Sequence, residues 1–419
     1  MSIAQRWKAY LTLLYLSVFA SYMPWLWQQV GRKTELLGSD FTIFYAGWSL
    51  ILRGRARELY DLAAQRAVER ELIGDGLEFP GGVVPFLHPP HLAFAMSPFA
   101  LLPRAAATWL WTGVQVVALA WLIRSVVRAV GAKAAIDRWL VAAAILAYPP
   151  VFTSLQMGQL AIVLTVALLG LALAEGRDGW AALWLVVLAA KPHLLLTPVA
   201  VLAAQRRWGV LARFGAVATA MGAATSVALG RGIYPEFVTA VPRLEHVWGK
   251  GGPQFMVNLR GSLVRLLDRD ASGPVFVAAA VAALAGFVLA RRLRARGQPD
   301  EAAWPAALAL GLLFNPHVFL HDALLWVVPL GLCYRRLQGD RAVRFALFAL
   351  SWPLVTLVNE AFEHRDQLLS LHLLFVQAAI GTAWMMWFAV SGATGSAPHS
   401  ELAAGVLQGG ARSTAAGRP

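Results

Sequence analysis

The residues able to carry chemistry are few in this chain, and they stand out against its apolar bulk. Asp40 follows Gly38-Ser39 and opens the apolar run from Phe41 to Leu52. A short carboxylate at a helix start caps free backbone N–H groups and faces the positive end of the helix. The same placement suits a general base held at a membrane surface. His88-Pro89-Pro90-His91 sets two imidazoles three residues apart. The intervening prolines argue against helical i, i+3 spacing and so against a shared zinc. A rigid corner walling an outer cavity, or a hydrogen bond from either histidine to a substrate, fits better. Gln156-Met157-Gly158-Gln159 stands where an apolar segment re-enters the bilayer. There Gly158 permits close backbone approach, and Gln159 is either a helix-end cap or a contact to a sugar hydroxyl.

Lys191 lies between two apolar stretches, where an ammonium is costly unless it is paired or faces water. It either snorkels to an interface or meets an anionic headgroup or phosphate. Asn315-Pro316-His317 and His321-Asp322 form a polar turn between apolar segments. His321 beside Asp322 reads as an oriented imidazole or as part of an ordinary loop, with Asp322 capping the next helix. Asp268-Arg269-Asp270 and the run Glu360, Glu363, His364, Arg365, Asp366 read as solvated outer turns. Taken together, one acidic group, several histidines and at least two cations fall on one membrane face. Sugar transfer from a lipid phosphate calls for this set: a base for the acceptor hydroxyl, and cations or imidazoles for the departing phosphate.

The elements that must position these groups are hydrophobic helices. The chain has 419 residues, 58% hydrophobic and only 14% charged. A soluble domain carries about 25% charged residues, so lipid must cover part of this surface. Apolar segments at roughly 8–28, 104–127, 138–150, 159–175, 178–190, 192–205, 209–229, 273–290, 302–318, 322–336, 341–359 and 367–390 give about a dozen spans. Lys191-Pro192 separates two half-helices, a break tolerated at depth only where protein or a wet cavity satisfies the backbone. The net charge of +13 gathers in short clusters at span ends, such as Arg206-Arg207, Arg291-Arg292 and Arg335-Arg336. That is the positive-inside pattern, with membrane lipids rather than nucleic acid as the expected partner.

The orientation that follows puts the N-terminus inside and two large loops, 29–103 and 230–272, on the periplasmic face. The first loop is expected to carry interfacial helices over Phe41–Leu52 and Arg57–Leu72. Its end, 86–103, holds four prolines and is expected not to cross. Residues 1–390 then form one transmembrane domain, and the Gly-, Ala- and Ser-rich stretch 391–419 forms a disordered cytoplasmic tail. The first span reads as uncleaved. One cysteine, Cys333, excludes an internal disulfide and is expected to be buried.

Several motifs occur in the order seen in glycosyltransferase family 87, which the chain resembles. They are Ser39-Asp40-Phe41 with Tyr45, then Gly54 with Leu59-Tyr60-Asp61, and Pro89-Pro90 with Pro98 and Leu102-Pro103. Gly158-Gln159, Lys191-Pro192, Asn258 with Gly261-Ser262, and Asn315-Pro316 with His321-Asp322 follow. The resemblance implies a GT-C-type all-α polytopic membrane fold. It also implies an inverting, metal-independent transfer of a hexose, mannose first, from a polyprenyl-phosphate sugar to a lipid or glycan acceptor. The reaction would take place on the periplasmic face of a bacterial inner membrane, without a cofactor.

On that reading Asp40 is the catalytic base and His321 a second catalytic residue. Lys191, Arg260, Gln159, Asn258, Tyr45, His88, His91 and Asp322 then contact the donor phosphate or sugar. His88 departs from the family by replacing an expected aromatic residue before Pro89-Pro90. Two other classes compete. A transporter or flippase of a lipid-linked or anionic solute would keep its polar groups at mid-bilayer, whereas here they gather in outer loops. A non-catalytic subunit of an envelope-polymer assembly would leave Asp40 free to vary.

Overall fold

A computed structural model of the protein describes residues 2–33, 40–73, 84–247, 252–267, 269–270, 272–363 and 367–391. Gly38-Ser39, Trp248–Gly251, Asp268, His364–Asp366 and the 392–419 tail lie outside them, and so do the readings placed on them. Among the described residues the chain is all-helical, with one isolated β-bridge between Met256 and Phe319.

The helices run α1 Ile3–Lys33, α2 Asp40–Leu52, α3 Leu62–Ile73, α4 Pro90–Met96, α5 Arg104–Ala129 and α6 Ala135–Leu146. Next come α7 Pro149–Met157, α8 Ala161–Ala172, α9 Asp178–Leu188, α10 Leu196–Ala204, α11 Trp208–Leu229 and α12 Ile233–Val247. The last are α13 Leu259–Leu267, α14 Ser272–Ala295, α15 Trp304–Leu313, α16 Val327–Tyr334, α17 Gly339–Glu363 and α18 Gln367–Ser391.

Among the described residues, five helices, α5, α11, α14, α17 and α18, contain stretches long and apolar enough to cross a bilayer. The α6–α7 pair makes a sixth if its two halves, bent by 50°, count as one span. Pro149 sets that bend: its ring cannot continue a helix, yet it starts one readily at the first position. The stretch between the apolar segments 138–150 and 159–175 is therefore mostly helical. α8, α9, the Pro192–Ala204 run and the His321–Tyr334 run are apolar but shorter than 18 residues.

α2 differs from the expected interfacial helix. Every residue from Phe41 to Leu50 is buried in protein. A helix apolar on all faces belongs in a core, and α2 packs against α3, α4 and the 3-10 turn Ser97–Leu101. α3 is the amphipathic element of this loop. Its buried Gln65 accepts from Phe86 N–H at 2.9 Å and donates to Leu59 O at 2.7 Å, tying the helix to the chain on both sides. Between Pro90 and Leu101 the chain makes only a seven-residue helix and a five-residue 3-10 turn. That run is too short for a straight crossing, which needs about 20 residues. Cys333 is buried, as expected.

Candidate functional site

Asp40 is the first residue of α2, and its Oδ2 accepts a hydrogen bond from Gln159 Nε2. Gln159 reaches it because α7 ends at Gly158, whose φ of 70° turns the chain back. A Cβ at Gly158 would stand 2.7 Å from Phe41 Cβ, so both the backbone angle and the space require glycine. Trp111 Nε1 donates to Gly158 O at 2.7 Å and holds the turn from the other side. The close approach read from Gly158 is thus the joint between α7 and α2. Burial pushes the carboxyl of Asp40 up; His321, the Gln159 hydrogen bond and Lys191 pull it the other way.

Lys191 and Asp322 lie beside this carboxylate. Lys191 follows the end of α9, and Pro192 starts a 3-10 turn before α10, so the expected break is present. Its Nζ meets Asp322 Oδ1 at 2.6 Å, with both side chains almost fully buried. A free ammonium aimed at a phosphate was one reading of the sequence; the structure instead gives Lys191 a carboxylate partner. A buried charge without one would cost several kcal/mol. Asp322 Oδ2 also accepts from Phe319 N–H at 3.3 Å and faces His321 Nε2 at 3.4 Å. Asp322 therefore ties back to the chain ahead of its 3-10 turn, which carries no side-chain cap, and adjoins the imidazole as well.

His88 and His91 serve the end of α9. His91 Nε2 lies 3.2 Å from Ala189 O, and its Nδ1 lies 3.2 Å from Tyr234 Oη on α12. The His88 ring is hydrogen-bonded to the backbone of Ala190. The last carbonyls of a helix lack intrahelical donors, and the two imidazoles supply them. Pro89 is the N-cap of α4 and Pro90 its first residue, which fixes the corner that aims both rings. His88 stands edge-on to Phe44, centroids 4.7 Å apart, and burial pushes its pKa down to about 3, so it is a neutral imidazole.

The second loop arrives through backbone pairing. Val257 N–H donates to Val318 O at 2.9 Å beside the Met256–Phe319 bridge. Asn258 caps α13, its Oδ1 accepting from Gly261 N–H at 3.2 Å, and its Nδ2 donates to Asn315 O at 2.5 Å. Arg260, 1% exposed, grips Asp270 through Nε at 3.1 Å and Nη2 at 2.9 Å, and its Nη1 reaches Pro316 O at 3.2 Å. Asp270, read as part of a solvated turn, is the counter-ion of this arginine. Tyr45 donates to Leu102 O at 2.7 Å, which spends its hydroxyl on the wall.

Two residues join this cluster that the sequence reading did not place in the site. The His193 and His317 rings stand 5.5 Å apart, and His317, Phe319 and His321 follow one another with centroids 4.8 and 5.8 Å apart. Extended backbone turns alternate side chains to one side, and Pro316 keeps Asn315 out of helical geometry. The i, i+2 spacing of His317, Phe319 and His321 was therefore the available signal. Asn315 organises this turn through His317 N–H at 3.0 Å and His193 O at 3.2 Å.

The arrangement gathers one carboxylate, an oriented amide, a buried ion pair and a row of imidazoles from five separate stretches of chain. It can accept a proton at Asp40 while neighbouring positive and polar groups face developing charge. The model of glycosyltransferase family 87 matches residues 86–320 of the chain. Gln159, Lys191, Asn258 and Arg260 fall inside that stretch; Asp40, Tyr45, His321 and Asp322 fall outside it. No curated protein and no solved structure matches the chain.

Proposed function

We propose, on the premise that the chain belongs to glycosyltransferase family 87 and is a membrane glycosyltransferase, that it transfers a hexose from a polyprenyl-phosphate sugar. Mannose is the first candidate sugar, and a lipid or glycan the acceptor. The reaction takes place on the periplasmic face of a bacterial inner membrane, by a single inverting displacement.

The observation that carries this reading is the setting of Asp40: a carboxylate hydrogen-bonded to Gln159, within the field of His321 and the Lys191–Asp322 pair. The acceptor oxygen attacks the anomeric carbon, and its proton passes to Asp40. The bond from that carbon to the phosphate oxygen breaks, and its electron pair leaves on the polyprenyl phosphate. Base catalysis of this kind contributes about 10²- to 10⁴-fold. Asp322 positions the imidazole of His321, which stabilises the departing phosphate. The Lys191–Asp322 pair is close to neutral as a unit, so Lys191 acts on Asp40 and His321 through the field and not as a free phosphate clamp. Arg260, paired with Asp270, holds the second loop against the Asn315–Pro316 turn.

The broken α9–α10 pair would also suit a transporter, whose sites form between half-helices. Family membership favours transfer. The test gives purified protein radiolabelled polyprenyl-phosphate mannose and a membrane-lipid extract. Labelled product with an α-linked sugar from a β-linked donor supports the reading. Failure to consume any donor of this class defeats it.

A further inference from the structure

A separate cavity of about 350 Å³ lies at the other end of the bundle. It is lined where α8 ends, α9 begins, α10 ends, α11 begins, α14 ends and α15 begins. Asp178 starts α9 at this cavity, whereas Lys191 follows the end of α9 at the candidate site. The eleven residues of α9 put about 16 Å between the two, at 1.5 Å per residue.

Three arginines, Arg206, Arg207 and Arg294, line the cavity with four carboxylates, Glu175, Asp178, Asp300 and Glu301. Asp178 is shared by Arg207 at 2.9 Å and Arg213 at 3.3 Å. Asp300 faces Arg294 at 3.3 Å, and Glu301 faces Arg336 at 3.4 Å and Arg335 at 3.8 Å. Arg206 lines the cavity, is exposed, and has no acidic partner among the described residues. Arg213, Arg335 and Arg336 hold lining carboxylates from outside the cavity, so the lining and its ion-pair partners together carry six arginines against four carboxylates.

The surroundings are those of a membrane interface. Trp208 and Trp304 line the cavity, with Trp208 59% exposed. Indoles favour the headgroup level. α11 rises from the rim with few of its side chains buried, the arrangement of a lipid-facing helix. Arg206 has φ 57°, making it the lone non-glycine with left-handed backbone among the described residues. Such strain persists where the surrounding structure holds it.

We propose that this cavity binds the phosphate of an anionic phospholipid headgroup, with Arg206 as its principal free donor. Guanidinium groups pair with phosphate oxygens through charge-assisted hydrogen bonds, and basic pockets between spanning helices receive such headgroups. The site is independent of the sugar-transfer reading.

The test uses the purified full chain, stripped of lipid in neutral detergent. Its Tm is followed as phosphatidylglycerol, phosphatidylcholine or inorganic phosphate is added. Phosphatidylglycerol should raise the Tm saturably, and the other two should not. Arg206→Gly removes the guanidinium while suiting the left-handed backbone, so the lipid-free variant should melt no lower than the parent. Its apparent affinity for phosphatidylglycerol should fall about ten-fold, the worth of one charged hydrogen bond. Three results would each overturn the proposal: equal stabilisation by phosphatidylcholine, an undiminished response in Arg206→Gly, or an equal response to inorganic phosphate. The last would make the occupant a soluble phosphate.

Discussion

A general base must be ionised to work, and burial pushes the Asp40 carboxyl above the ordinary carboxylate range while His321 draws it back. The sign follows directly. Activity is present above the pKa of Asp40 and is lost as pH falls through it. The acid limb of the kcat profile should therefore lie above about pH 3.9, the value of a free aspartate. His321→Ala removes the largest opposing influence, so the limb should move to higher pH, besides any loss of rate. A limb that stays in place would refute the electrostatic contact between the two groups.

The Lys191–Asp322 pair makes a second prediction. Lys191→Met strands a buried carboxylate and should cost about 3–5 kcal/mol, read as a lowered Tm. The double variant Lys191→Met, Asp322→Leu should recover most of that loss. Asp40 and Gln159 stand out in the sequence as polar groups where apolar runs begin, and His321 as part of the polar turn with Asp322. The pairing of Lys191 with Asp322 does not, since their separation of 131 residues leaves no local trace. The same holds for Arg260, whose partner Asp270 lies in a turn that reads as solvated.

The joint that brings Gln159 to Asp40 is the turn at Gly158. Gly158→Ala adds a Cβ 2.7 Å from Phe41 Cβ at a left-handed position. It should cost about 1–3 kcal/mol and depress activity by displacing Gln159, seen as a lower Tm together with a lower kcat. The α9–α10 break and the proline corner at Pro89-Pro90 were also readable, because proline removes a donor and fixes φ. The enclosure of α2 was hidden. A helix apolar on every face satisfies lipid and protein surroundings equally, so its periodicity does not tell them apart. Helix lengths near the breaks were misjudged for a related reason: α7 is bent from α6, and hydropathy alone does not register a change of direction.

Across the whole molecule, the chemistry-bearing residues gather at one end of the helices and the arginine clusters at the other. The positive-inside pattern predicts the direction of insertion. Because Cys333 is buried, a single introduced cysteine can report that direction without background. Arg57→Cys, in the turn before α3, should react with an impermeant thiol reagent in whole cells. Arg296→Cys, beyond α14, should react only after permeabilisation. The opposite labelling would invert the orientation and move the proposed transfer to the inner face. The apolar composition made a membrane protein evident, and the ordered motifs pointed to the family. The cavity of paired arginines and carboxylates was unreadable, because six helix ends from distant stretches of chain build it.

The most direct test of the central claim is a comparison of the parent enzyme with Asp40→Asn, measuring donor binding and single-turnover transfer on the same preparations. The asparagine keeps the shape and a hydrogen-bonding partner for Gln159 but cannot take a proton. Donor affinity should remain within a few-fold of the parent while transfer falls about 10²- to 10⁴-fold. Transfer at the parental rate in Asp40→Asn would contradict the account.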